Sequence, residues 1–326
     1  MVGNSRPVLL SVLLLVLMIA VSTACAKTIN VPTGKATIQA AINAAVSGDV
    51  VVVSARRYVE NLNFNGKAIT VRSTNPNSPA VVAATIIDGN QLDSVVTFNH
   101  SETATSVLTG FTITNGSGKA VIAGGTRGGG VHIVWSSPTL INNVIRNNSA
   151  KDAGGVYCAF SSSPTLTNNT ISGNNATGWG GGVFFNYSSP TLTNNTISDN
   201  SAGDNGGGLY CYDHSSPTLT GNILSDNSSG TSGGGVYCCG YSSPYIVSNT
   251  VRGNKAGDDG GGVSCYDHSS PTLTNNTISG NSSGASGGGV YCYTSSCRIS
   301  LATPSVTTRR STAAAAWNAT TSPRRP

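Results

Sequence analysis

Residues 233–254 read Gly-Gly-Gly-Val-Tyr-Cys-Cys-Gly-Tyr-Ser-Ser-Pro-Tyr-Ile-Val-Ser-Asn-Thr-Val-Arg-Gly-Asn, and versions of this stretch recur on both sides at a nearly constant interval. The aliphatic residue after the glycines falls at Val131, Val156, Val183, Leu209, Val236, Val263 and Val290, with spacings of 25, 27, 26, 27, 27 and 27. Self-similarity at that period is the signature of a solenoid. Inside one repeat, short segments rich in Val, Tyr and Thr are separated by Ser-Ser-Pro, Gly-Asn and Gly-Gly-Gly, too closely for helices. Three short strands and three turns then close one coil, and successive coils stack as parallel strands about 4.8 Å apart. Parallel crossovers are right-handed. The expected fold is therefore all-β, a right-handed parallel β-helix.

Working outward, residues 126–296 carry the regular repeats and residues 27–125 read as a cap with the first, less regular coils. Within the latter, 37–46 has apolar residues at helical spacing and is expected to be a short helix covering the open end of the stack. Strands are expected at 50–54, 68–73, 85–88, 94–99 and 106–115. Residues 1–26 read as an export signal: Arg6 precedes the apolar run 8–21, and Ala24-Cys25-Ala26 gives a small-x-small cleavage site. A lipoprotein signal using Cys25 is the competing reading. Either places the protein outside the cytoplasm, secreted or at the cell surface, with no transmembrane segment in the mature chain.

The formal charge of +5 is uneven, since Arg6, Arg298, Arg309, Arg310, Arg324 and Arg325 lie at the ends; removing these six of 18 basic residues leaves 12 against 13 acidic ones. A nearly neutral body with no basic stripe gives no reason to expect a nucleic-acid partner.

The segment Ile38-Gln39-Ala40-Ala41-Ile42, with Gly48-Asp49-Val50-Val51-Val52 and Tyr58-Val59-Glu60-Asn61 after it, resembles the opening of right-handed parallel β-helix proteins, the group of pectin methylesterases, pectate lyases and NosD-like exported proteins. The resemblance spans about residues 28–297 and rests on scaffold residues, so it implies the fold more than an activity. Of the polygalacturonase-like motifs only Asp258-Asp259 is present. No acidic calcium cluster beside an arginine, as a pectate lyase needs, follows from the repeat phase.

Stacking turns each repeated residue into a ladder. Asn143, Asn169, Asn195, Asn222, Asn249 and Asn276 form one, and Asn147, Asn174, Asn200, Asn227, Asn254 and Asn281 a second, both expected to be structural. Strand alternation points Cys158, Cys211, Cys238, Cys265 and Cys292 inward, with Phe185 in their place in one coil; they read either as buried free thiols or as neighbours within disulfide range. Their even spacing gives no metal site, and no cofactor is expected. The same alternation points Tyr157, Phe184, Tyr210, Tyr237 and Tyr291 outward, with His132 and Ser264 at the same phase, and Tyr212, Tyr266 and Tyr293 two residues later. Such a strip suits stacking on sugar rings, although tyrosines also serve simply as good strand residues. Asp213-His214 and Asp267-His268 repeat two coils apart, about 10 Å on one face, which is compatible with an inverting carboxylate pair but also follows from duplication alone. Thr-Leu-Thr segments at 165–167, 191–193, 218–220 and 272–274 make a third, threonine-bearing face. Its interruption at Tyr245-Ile246-Val247 argues against ice recognition.

After Ser296 the repeat vanishes. The next phase mark is due at Trp317, and Ala-Ala-Ala-Ala-Trp is what Gly-Gly-Gly-Gly-Val codons give when read one base out of frame. Residues 297–326 are accordingly expected to be a disordered, frameshifted tail. The reading as a whole is a monomeric, exported, non-enzymatic β-helix that presents a flat surface to a polysaccharide or a surface protein. A polysaccharide lyase or glycoside hydrolase acting on pectin-like polymers is the alternative.

Overall fold

The computed structural model describes residues 26–121, 124–293, 298–299 and 306–310. The expected signal, residues 1–26, lies almost wholly outside them. The chain winds as a parallel β-solenoid. One sheet of nine strands runs from Leu62–Asn63 through Val96–Phe98 to Val290–Cys292, its strands from Val131–Val134 onward being the segments that follow the glycines. A second, of eleven strands, begins at Thr28–Val31 and includes the Thr-Leu-Thr segments; a third, of fifteen, contains the Asn-Thr-Ile-Ser segments together with two-residue strands such as Asn175–Ala176. All pairing within these three sheets is parallel, and between successive coils it is in register, as in Leu209↔Val236 and Leu219↔Ile246; the pairing of Val306–Arg310 shifts register between Ser279 and Asn281.

The core is one narrow column. Val156, Leu166 and Ile171 from one coil lie under Val183, Leu192 and Ile197 from the next, all fully buried. Around it run the polar ladders. Asn143 to Asn276 form the first as expected, Asn143 to Asn249 each donating backbone N–H and Nδ2 to the Oδ1 one coil on, as Asn195 does to Asn222 at 2.8 and 3.0 Å. The second ladder begins at Asn148, not Asn147: Asn148 donates to Asn174 Oδ1 at 3.1 Å, while Asn147 takes the left-handed turn position at φ 54°. The left-handed conformation therefore belongs to the residue before each ladder asparagine, such as Asn168 and Asn194, and not to the ladder itself. A further ladder, of buried serines from Ser-Ser-Pro, is built the same way. Ser188, Ser215 and Ser242 each donate N–H to the Oγ of Ser215, Ser242 and Ser269 in turn, at 3.0–3.1 Å.

At the N-terminal end the helix Ile38–Ala44 buries Ile38, Ala41 and Ile42 over the first coils. Thr37 caps its start by accepting from Ala40 N–H at 3.1 Å, and Glu60 accepts from the N–H groups of Ile38 and Gln39. Lys67 Nζ closes its other end by donating to the carbonyls of Ile42, Asn43 and Ala45, a charge placed where the helix dipole favours it. The expected 106–115 strand is two, Val107–Thr109 and Thr112–Thr114, broken at the left-handed Gly110. An unexpected second helix, Pro79–Ala84, starts on a proline at its first turn. In the tail, Arg298–Ile299 pairs with Thr272–Thr274, and Val306–Arg310 lies parallel to Thr277–Ser283. The last regular coil offers open strand edges for these two segments to pair with; the rest of the expected tail lies outside the described residues.

Candidate functional site

The outward side of the nine-stranded sheet carries the candidate residues, but its rings are not a bare strip. Tyr157, Phe184, Tyr210 and Tyr237 are 1, 3, 5 and 9% exposed and form a second, smaller core with Ala153, Ala159 and Cys239. The expectation that they face solvent is corrected. The chain entering two of the glycine triplets folds back over this face: Trp179 stacks on Tyr210 at 6.2 Å and meets Phe184 edge-on, and Arg127 lies over Tyr157, donating to its hydroxyl at 3.1 Å. Tyr210 Oη and Cys239 Sγ are 3.3 Å apart. Burial raises the Tyr157 hydroxyl and pushes those of Tyr210 and Tyr237 well above their ordinary range, so all three stay protonated.

The remaining expected rings reach the surface to different degrees. Tyr266 and Tyr291 are half-buried, Tyr266 donating its hydroxyl to Asp259 at 2.7 Å, whereas Tyr212 and Tyr293 are exposed. Tyr266 leans on Tyr237 at 5.6 Å and on Tyr293 at 5.2 Å, so the buried and exposed rings form one continuous pack.

His132, at the same phase as the buried tyrosines, is also covered. It packs against Tyr157 at 5.4 Å, and neither ring nitrogen has a hydrogen-bond partner in the protein. Burial, helped by the charges of Lys119 and Arg127 and opposed by Asp93, lowers its pKa to about 4, which keeps the imidazole neutral.

Asp213-His214 and Asp267-His268 occupy the turn that leaves this sheet. All four residues are left-handed, with φ of 50, 58, 45 and 57°. Within each pair the carboxylate touches its own imidazole, at 2.8 Å for Asp213 and 3.2 Å for Asp267. The two pairs share one edge of the solenoid but do not meet, because Tyr241 from the intervening coil stands between the imidazoles. Its ring stacks on His214 at 5.4 Å and on His268 at 4.9 Å, and Tyr187 stacks on the other face of His214 at 5.8 Å, with planes within 17° throughout. Tyr187, His214, Tyr241 and His268 thus form one exposed column of alternating phenol and imidazole rings. Trp135 and Phe160, stacked at 5.2 Å, occupy the corresponding turn of two earlier coils.

The column was legible as a period, since its four members fall at 187, 214, 241 and 268, each 27 apart. Alternation along the strands hides it because the rings stand one turn beyond the strand ends. Tyr187 and Tyr241, at φ of 48 and 61°, hold a conformation that costs a side-chain-bearing residue about 1–2 kcal/mol. Because the rings lie face to face, their faces are largely occupied by each other. What the column offers a ligand is ring edges, two phenol hydroxyls, imidazole nitrogens and the neighbouring carboxylates. Among the described residues no group of three or more His, Cys, Asp or Glu is placed to hold a metal ion, and no helix is long and apolar enough to cross a membrane.

Residues 86–251 and, overlapping them, 180–305 match the family described as right-handed beta helix region. The chain belongs to that family. No curated protein matches it. Among solved structures, a pectin methylesterase from carrot is similar, at 13% identity over 85% of this chain and 88% of that one, with a TM-score of 0.46.

Proposed function

We propose that this is an exported, non-enzymatic β-helix protein that binds an extended glycan or protein strand along the edge carrying Tyr187, His214, Tyr241 and His268. The observation that carries the reading is that this column is exposed and rung-spaced, and is built from ring-bearing residues at left-handed turn positions that glycine would occupy without strain. Such outliers point toward function. The contact is edge-on: hydroxyls and imidazole nitrogens donate and accept along the column, with Tyr212 and Tyr293 flanking it on the sheet face. The apolar run and small-residue cleavage site within residues 1–26 support export.

The test is retention of the full chain on immobilised pectin, alginate and other polysaccharides, with released reducing and unsaturated ends followed in the same incubations. Retention lost in Tyr187→Gly/Tyr241→Gly, without product from the natural chain, supports the proposal. Product formation abolished by Asp213→Asn or Asp267→Asn would replace it with the hydrolase or lyase alternative. Equal retention of the natural and doubly substituted chains would remove the column from the account.

A further inference from the structure

The inward column of cysteines carries chemistry that the surface reading does not use. Cys211, Cys238 and Cys265 are free, fully buried and successive in register, Cys211 opposite Cys238 and Cys238 opposite Cys265. One rung is about 4.8 Å, inside the Cα separation of about 4.4–6.8 Å that disulfides span. All three point into the same narrow core, and the thiol of Cys238 is influenced by both neighbours. Cys158 is set apart, because its partner in the next coil is Phe185. Cys239 faces the opposite side, against Tyr210. Cys292, next in the column, is already disulfide-bonded.

We propose that Cys238 forms a disulfide with the cysteine of an adjacent coil, Cys211 or Cys265, when the chain folds in the presence of a disulfide oxidant. With oxidised glutathione, one protein thiolate attacks the glutathione disulfide and releases one glutathione thiol. The neighbouring protein thiolate then attacks the mixed disulfide at the protein sulfur and releases the second. Two protein thiols lose two electrons and two protons, and one glutathione disulfide becomes two thiols. Because Cys238 belongs to both pairings, a single disulfide forms and one of the three thiols stays reduced. Burial raises the Cys238 and Cys265 thiols and suppresses their thiolates, so the step belongs to folding, before the coils close over the sulfurs.

The full chain is refolded in mixed reduced and oxidised glutathione, and in parallel with reductant alone. Both samples are denatured, alkylated, cleaved at aromatic residues and analysed unreduced by mass spectrometry. The expected product of the oxidised sample is a peptide pair joined through Cys238 to Cys211 or Cys265, lighter by two hydrogens, with the third thiol and Cys158 alkylated. Cys238→Ser is expected to leave Cys211 and Cys265 both alkylated. Cys211→Ala and Cys265→Ala, each of which keeps one pairing, are expected to retain the link through the other, which preserves the test if Cys238→Ser does not fold. Alkylation of all three thiols in the oxidised natural chain, or a link running to Cys158 or Cys239, overturns the proposal. So does a Cys211–Cys265 link in Cys238→Ser.

Discussion

Asn200 donates its side-chain amide to Oδ1 of Asn227, one coil further on, at 3.0 Å, and the same nitrogen bonds the carbonyl of Ile171, one coil back, at 2.9 Å. A single buried amide thus ties three coils together. Its own Oδ1 accepts from the backbone N–H and the Nδ2 of Asn174. Asn200→Ala would leave the buried Asn174 N–H without its partner and take one bond each from Asn174 Nδ2, which keeps the Ile145 carbonyl at 2.9 Å, and from the Ile171 carbonyl. At about 1–3 kcal/mol for a buried group left unpaired, the expected loss is about 1–3 kcal/mol, read as a lower urea midpoint. Asn175→Ala, at an exposed neighbouring position, should change stability by less than about 0.5 kcal/mol.

His132 sets a pH dependence. Its folded pKa, about 4, lies below the ordinary unfolded value of about 6.5, so below that value the unfolded chain takes up a proton that the folded chain does not. The contribution of His132 is harmless above pH 6.5, destabilises progressively as pH falls from there to about 4, and levels off below. The full effect is on the order of 3 kcal/mol. Thermal melts of the natural chain and of His132→Phe between pH 7 and 4 should converge at the upper end and separate toward the lower, with the variant the more resistant to acid.

The buried and exposed rings separate by their response to truncation. Tyr210→Ala empties the second core and should cost about 3–5 kcal/mol. Tyr241→Gly loses two stacking contacts but relieves a left-handed backbone, two effects of about 1 kcal/mol that oppose each other. Its melting temperature should stay near that of the natural chain, while retention on a polysaccharide that binds falls.

The middle glycine of each triplet is a spacing device. A Cβ on Gly207 would stand 2.6 Å from the Gly234 carbonyl oxygen and nearer still to that of Ser228, both backbone atoms of the next coil. Gly207→Ala must push two coils apart and should cost about 3 kcal/mol, the upper end of ordinary overpacking. Gly48→Ala, with open space around it but φ of 94°, should show only the smaller backbone penalty of about 1 kcal/mol. Chemical denaturation of the two variants measures the difference.

The solenoid was readable because its period and its strand alternation are both carried by single residue types. Val183, Leu192 and Ile197 sit in the core where alternation puts them. Alternation says which way a ring leaves the sheet, but not what lies beyond it, so the cover that Trp179 lays over Phe184 and Tyr210 was invisible. Adjacent asparagines at 147 and 148 left the ladder position undecided by one residue, and only the hydrogen bond from Asn148 to Asn174 resolves it. The column of Tyr187, His214, Tyr241 and His268 was present as a period but lay in a turn, where residue type carries little directional information.

From Leu209 to Val290 the rise is 27 residues in every coil, and the ten residues from Cys211 to Thr220 are repeated without change from Cys265 to Thr274. A coil removed or added there as a unit keeps every remaining residue at its phase, so the glycine, serine and asparagine ladders continue unbroken and only positions such as Ser264 and Tyr245 exchange neighbours. At the level of the gene, misaligned recombination between segments of about 81 bases would lengthen or shorten the protein by whole rungs without a frameshift, making its length heritable variation that selection on folding scarcely sees.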